Sequence, residues 1–246
     1  MAQADENPPA VGDGLVRGAH WGLLAFIAGF GAYHLMNLVL TAALTGRFTG
    51  FDDAEEMPDL GPLLLLAFVP NLMLGLAPVL AARRWGSFRE LGVLPNLRDI
   101  KIGLACGGFA LLAGYLANLL LLPVFGTDLE SGNPLAGLAQ GVGDNPLWLA
   151  LAALIVVLVA PVTEEVLIRG ALWAGLTAHR IPQWAVLALT AAVFAQLHGE
   201  PSRTLALFVQ GLAIGAARLL SGRTGSSVVA HAANNLPPAL LLLGAS

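Results

Sequence analysis

Long uncharged runs of Leu, Ala, Val and Gly alternate with short polar breaks along this chain. A helix needs about 20 apolar residues, rising 1.5 Å each, to cross the ~30 Å hydrocarbon core of a bilayer, so these runs predict membrane spans. Seven are read, at 21–45, 61–82, 102–124, 147–179, 183–199, 204–220 and 226–244, with a count of seven to eight allowed by the pattern. The breaks between them are an acidic loop from Phe51 to Asp59, a mixed stretch from Arg83 to Lys101 and a Gly/Asn/Pro loop from Thr127 to Pro146. Trp21, Trp85, Trp148 and Trp184 fall at span edges, where an amphipathic indole favours the headgroup level. The expected fold is all-α: one polytopic transmembrane helical bundle over 21–246, with an intramembrane cavity, behind a polar tail at 1–20. No internal repeat is visible.

Composition narrows this further. The apolar share is 57% and the charged share only 11%, against about 25% charged in soluble domains. The formal net charge of −4 arises in loops, and no cluster of Lys or Arg beside aromatic residues suggests nucleic acid as a partner. A single cysteine, Cys106, lies inside an apolar run, which rules out a disulfide framework or a cysteine metal cluster and leaves a packed thiol. The first 20 residues, with Asp5, Glu6, Pro8 and Pro9, do not resemble a cleavable signal peptide, so the first span is expected to do the targeting. With the N-terminus inside, nine Lys/Arg fall on the cytoplasmic side and two, Arg47 and Arg203, on the other, a positive-inside bias that also places the C-terminus outside.

Arg169 belongs to neither side because it lies within a span. An ionisable residue there costs about 2.5–3.5 kcal/mol at the helix centre and marks a candidate functional site. Pro161-Val-Thr-Glu164-Glu165-Val-Leu-Ile-Arg169 puts three charges in the longest apolar run. Positions 165 and 169 meet across one helical turn and read as an internal ion pair. Glu164, turned by about 100° from Glu165, has no partner at helical spacing and is left as a carboxylate able to act as a general base on water. His198 ends the next span, and by residue count from the intervening turn it stands at the depth of Glu164, ~23 Å away along either helix. His231 and Asn235 share a face of the last span, and counting places His231 a turn or two lower. Asn234 lies nearly on that face and is a second amide. A carboxylate base, two imidazoles and an amide donor are the parts peptide hydrolysis needs.

At these residues the chain resembles the CAAX prenyl protease and bacteriocin-processing superfamily, also called the ABI family of intramembrane peptidases. Its EExxxR pattern is met by Glu164, Glu165 and Arg169, its FxxxH pattern by Phe194 and His198, and its HxxxN pattern by His231 and Asn235. The stretch from Phe88 to Gly92 is loosely similar to the loop preceding those motifs. The resemblance implies a glutamate-dependent peptidase whose catalytic core occupies 147–246. Residues matching Glu164 and His198 would activate water, and those matching His231 and Asn235 would support the oxyanion. Glu165, Arg169, Asn234 and Phe194 take supporting roles, the last shaping the cavity wall. No cofactor is expected; should zinc be bound, Glu164, His198 and His231 are the candidate ligands, although the HExxH arrangement is lacking. The expected substrate is a membrane-associated peptide or protein, and the Arg-rich, Lys-poor composition suggests a bacterial cytoplasmic membrane. Two other classes compete: a non-enzymatic immunity or scaffold protein of the same fold, and a proton-coupled transporter, whose relays also use buried Glu and His.

Overall fold

The computed structural model describes residues 21–48, 66, 68–86, 91–126 and 145–244. The tail at 1–20, the acidic loop, Phe88 to Glu90 and most of the Gly/Asn/Pro loop lie outside the described residues. Seven long helices occur among them: α1 Trp21–Phe48, α2 Val69–Trp85, α3 Leu97–Phe125, α4 Pro146–Ala178, α5 Gln183–Leu197, α6 Thr204–Ser221 and α7 Thr224–Gly244. No strand occurs among the described residues. Four helical segments are long and apolar enough to cross a membrane: Trp21–Ala43, Leu97–Phe125, Pro146–Ala178 and Pro201–Ser221. The other three do not reach that length and apolarity among the described residues. α2 is described over 17 residues and α5 over 15, while α7 has 21 but carries Ser226, Ser227, His231, Asn234 and Asn235.

Local chemistry sets the helix ends. α3 starts five residues before the apolar run because Asn96 and Asp99 form a reciprocal capping box, each side chain accepting from the other's backbone N–H at 2.9 Å. The α6–α7 turn needs only Gly222 and Arg223; Gly222 adopts φ 75° and donates its N–H to the Arg218 carbonyl, a left-handed cap that a residue with a Cβ rarely supplies. Arg223 then bonds Asp99 at 2.9 Å and the Leu94 carbonyl at 3.0 Å. That clamp ties the segment before α3 to the last two helices.

α4 is the central element. Its first half lies along α7, its middle against α2, and its second half against α1. Ile155–Val159 and Val166–Leu172 are π-helical, with wide turns on both sides of the Glu164–Glu165 pair. The first has a plain cause: Pro161 lacks an N–H and its ring crowds the carbonyl four residues back, and widening the turn relieves the crowding. α3 packs on α6 and α7 through small residues. A Cβ at Gly107 would stand 2.5 Å from the Ala230 carbonyl oxygen, and one at Gly103 2.6 Å from the Val229 Cβ, so these helices touch backbone to side chain. The main apolar core joins Leu74, Leu167, Ile168, Phe194, Ile214 and Ala230. It therefore surrounds the charged stretch of α4.

Candidate active site

The charged centre is built on α4. Glu165 and Arg169 are both fully buried and pair at 2.9 Å across one turn, as their spacing predicts. The arginine also donates to the Gly211 carbonyl on α6 at 2.6 Å and lies 5.0 Å over the Phe194 ring on α5. One guanidinium thus binds three helices together, which compensates for its removal from water.

His231 departs from expectation. Its Nδ1 lies 3.0 Å from Glu165 Oε1, the same oxygen that accepts from Arg169. The residue count put it a turn or two too low, but the π-helical turns of α4 change the register on which that count relied. α7 then runs antiparallel along α4, with His231 at Glu165, Asn235 at Val156 and Ala239 in a cluster with Leu149 and Ala152.

Glu164 is separate from this network. It is 8% exposed, and its Oε2 has no hydrogen-bond partner among the described residues. A cavity of about 410 Å³ is lined by Glu164, His198, His231, Asn234 and Asn235 together, with Phe194 in its wall. Glu165 and Arg169 do not line it. The structure therefore gathers Glu164, Phe194, His198, His231 and Asn235 at one cavity and divides the two acids as their helical phase predicts.

The imidazoles are oriented by their partners. His198 Nδ1 is 2.8 Å from the Phe194 carbonyl. A carbonyl only accepts, so Nδ1 carries the proton and Nε2 keeps the lone pair. His231 spends Nδ1 on Glu165, which leaves Nε2 for other partners. Both rings touch Phe194, at 4.6 Å for His198 and 5.2 Å for His231. Phe194 is thus a shared support for both histidines and Arg169, more than the wall predicted from sequence. Among the described residues no group of three His, Cys, Asp or Glu is placed to hold a metal ion.

The amides form a chain that the sequence reading missed in part. Gln210 on α6 donates to Asn234 at 3.3 Å, Asn234 donates to Asn235 at 3.1 Å, and Asn235 donates to the Val156 carbonyl at 3.0 Å. Gln210, Tyr33, Asn71, Glu200 and Arg203 also line the cavity. Gln210, Tyr33 and Asn71 carry no local signal, since a polar group in an apolar helix reads equally well as a packing hydrogen bond. Glu200 and Arg203 follow His198 in the short turn to α6, where Gly199 adopts φ 65° and the two charges pair at 2.5 Å.

No curated protein and no solved structure matches the chain. Residues 146–237, from the start of α4 into α7, match the family model described as type II CAAX prenyl endopeptidase Rce1-like. That segment holds all three motifs and both histidines of the cavity. Together with the four apolar helices it marks an integral membrane protein that over residues 146–237 is similar to the Rce1-like family of type II CAAX prenyl endopeptidases.

Proposed function

We propose that this protein is an intramembrane endopeptidase that cuts a peptide bond in a membrane-associated peptide or protein, with the Glu164 carboxylate as general base. The observation that carries this reading is the buried, unpartnered Oε2 of Glu164 at a cavity shared with His198, His231 and Asn235. Burying a carboxylate oxygen without a partner costs free energy, and a bound water supplies the missing partner.

In the proposed reaction Glu164 takes a proton from that water while its oxygen attacks the scissile carbonyl carbon. His198, with Nδ1–H committed to Phe194, offers Nε2 as an acceptor that orients the water. Asn235 has two amide hydrogens and spends one on Val156, so the second serves the developing oxyanion. His231, held through Nδ1 by Glu165, donates from Nε2 in its protonated form. The proton on Glu164 then passes to the leaving nitrogen as the C–N bond breaks. We propose that all of this proceeds without a metal, in seven spans of a bacterial cytoplasmic membrane with the N-terminus inside. The test is cleavage by Glu164→Gln beside the parent protein: loss with retained folding supports the assignment, and retained proteolysis overturns it.

A further inference from the structure

We infer that Gln210 is a positioning residue of this site, one that sets the direction of the Asn234–Asn235 amide pair and so keeps an N–H of Asn235 available to the cavity. The inference rests on the peptidase reading for its catalytic consequence, whereas the positioning itself is a property of the fold.

The Val156 carbonyl is a fixed acceptor. Oxygen and nitrogen of an amide side chain are distinguished by their hydrogen-bond partners. The Val156 carbonyl can only accept, so the Asn235 atom 3.0 Å from it is Nδ2. Asn235 then turns Oδ1 toward Asn234, which must meet it with Nδ2, at 3.1 Å. The remaining oxygen of Asn234 requires a donor, and Gln210 Nε2 provides one at 3.3 Å. Each amide orients the next, and Gln210 is the far end of the chain. Replace that donor with an acceptor and the order fails: Asn234 turns round, its oxygen faces the oxygen of Asn235, and Asn235 is driven off Val156.

A second feature shows that the fold makes room for this side chain. Gly114 on α3 faces it, and a Cβ at that position would overlap the Gln210 amide, at 2.7 Å from Cδ and 2.8 Å from Cγ. The three nearest atoms all belong to the flexible Gln210 side chain rather than to backbone. An alanine at 114 therefore meets the movable Gln210 amide first and displaces it. Gly114 is a vacancy kept for Gln210.

The experiment uses full-length protein in detergent micelles with ¹⁵N-labelled asparagine, comparing the parent with Gln210→Met, Gly114→Ala and the double variant. Exchange of the Asn234 and Asn235 side-chain amide protons with water is expected to quicken by about tenfold or more in all three variants, with the double no faster than either single. Unchanged exchange in Gln210→Met, or additive effects in the double, overturns the inference. The catalytic arm uses an internally quenched peptide ending in a prenylated-cysteine CAAX sequence. Both single variants should lose kcat by about tenfold or more, a loss of orientation, with KM within about twofold. Gln210→Glu should approach parental kcat as pH falls, because the protonated acid again donates to Asn234 and the carboxylate does not. A kcat equal to the parent's, a loss confined to KM, or a pH profile parallel to the parent's each overturns the catalytic role. A parent protein that cuts no such peptide counts against the peptidase reading alone, and the exchange arm still decides whether Gln210 positions Asn235.

Discussion

Replacing Arg169 with Met keeps an unbranched apolar stem and removes the guanidinium and its charge, and the structure says what is then left behind. Glu165 Oε1 loses its partner at 2.9 Å and retains only His231, the Gly211 carbonyl loses a donor at 2.6 Å, and Phe194 loses the guanidinium 5.0 Å above it. Both charged side chains are fully buried, so screening by water is absent. Breaking such a pair by removing one member costs about 3–5 kcal/mol, mostly as the stranded charge. A second change, Glu165→Gln, removes that charge, so the double variant should be destabilised by only ~2 kcal/mol, from the lost contacts to Gly211 and Phe194. The coupling is measured by a double-mutant cycle on reversible unfolding in mixed micelles with increasing SDS, followed by near-UV circular dichroism. A cost below about 1 kcal/mol for Arg169→Met, or a double variant equal to the sum of the singles, would refute the reasoning that the pair is a mutually dependent buried unit.

Two further outcomes are expected. Gly107→Ala drives a Cβ to 2.5 Å from the Ala230 oxygen and 2.8 Å from the Ala233 Cβ, so the same unfolding assay should show a loss of about 1–3 kcal/mol and, because α7 carries His231 and Asn235, reduced activity. Gly108→Ala, with nothing within 4 Å, should leave both unchanged and controls for the helical preference of alanine. Because no three donors are arranged to hold a metal among the described residues, purified protein should carry zinc well below one ion per chain and a chelator should not slow cleavage; stoichiometric zinc whose removal abolishes activity would contradict the metal-free proposal.

The helix set was largely legible because apolar length and Gly/Pro punctuation encode it directly. Gln183 to Leu197 and Thr204 to Ser221 fall within two residues of the spans read at 183–199 and 204–220. α3 was misplaced by five residues at its start, since the Asn96–Asp99 capping box carries a helix beyond its apolar run. At the site, the phase difference between Glu164 and Glu165 was readable from their adjacency, and so was the pairing with Arg169. The contact between His231 and Glu165 was not, because it depends on π-helical turns in α4 that a count of 3.6 residues per turn does not contain. Gln210 escaped for another reason: its importance comes from Asn234, 24 residues later, and from the vacancy at Gly114. No local pattern joins those three positions.

The central claim is that the Glu164 carboxylate activates water. Its most direct test compares newly formed peptide N-termini in native-host membranes containing the parent protein, Glu164→Gln or Glu165→Gln at equal abundance, followed by the cleavage rate of the substrate so identified in proteoliposomes. The account predicts that Glu164→Gln, nearly isosteric and still folded, loses about 10²–10⁴-fold in rate, the range a positioned general base contributes. It further predicts that Glu165→Gln loses activity together with stability, because the His231–Arg169 network loosens. A Glu164→Gln protein that cuts within about tenfold of the parent would contradict the account.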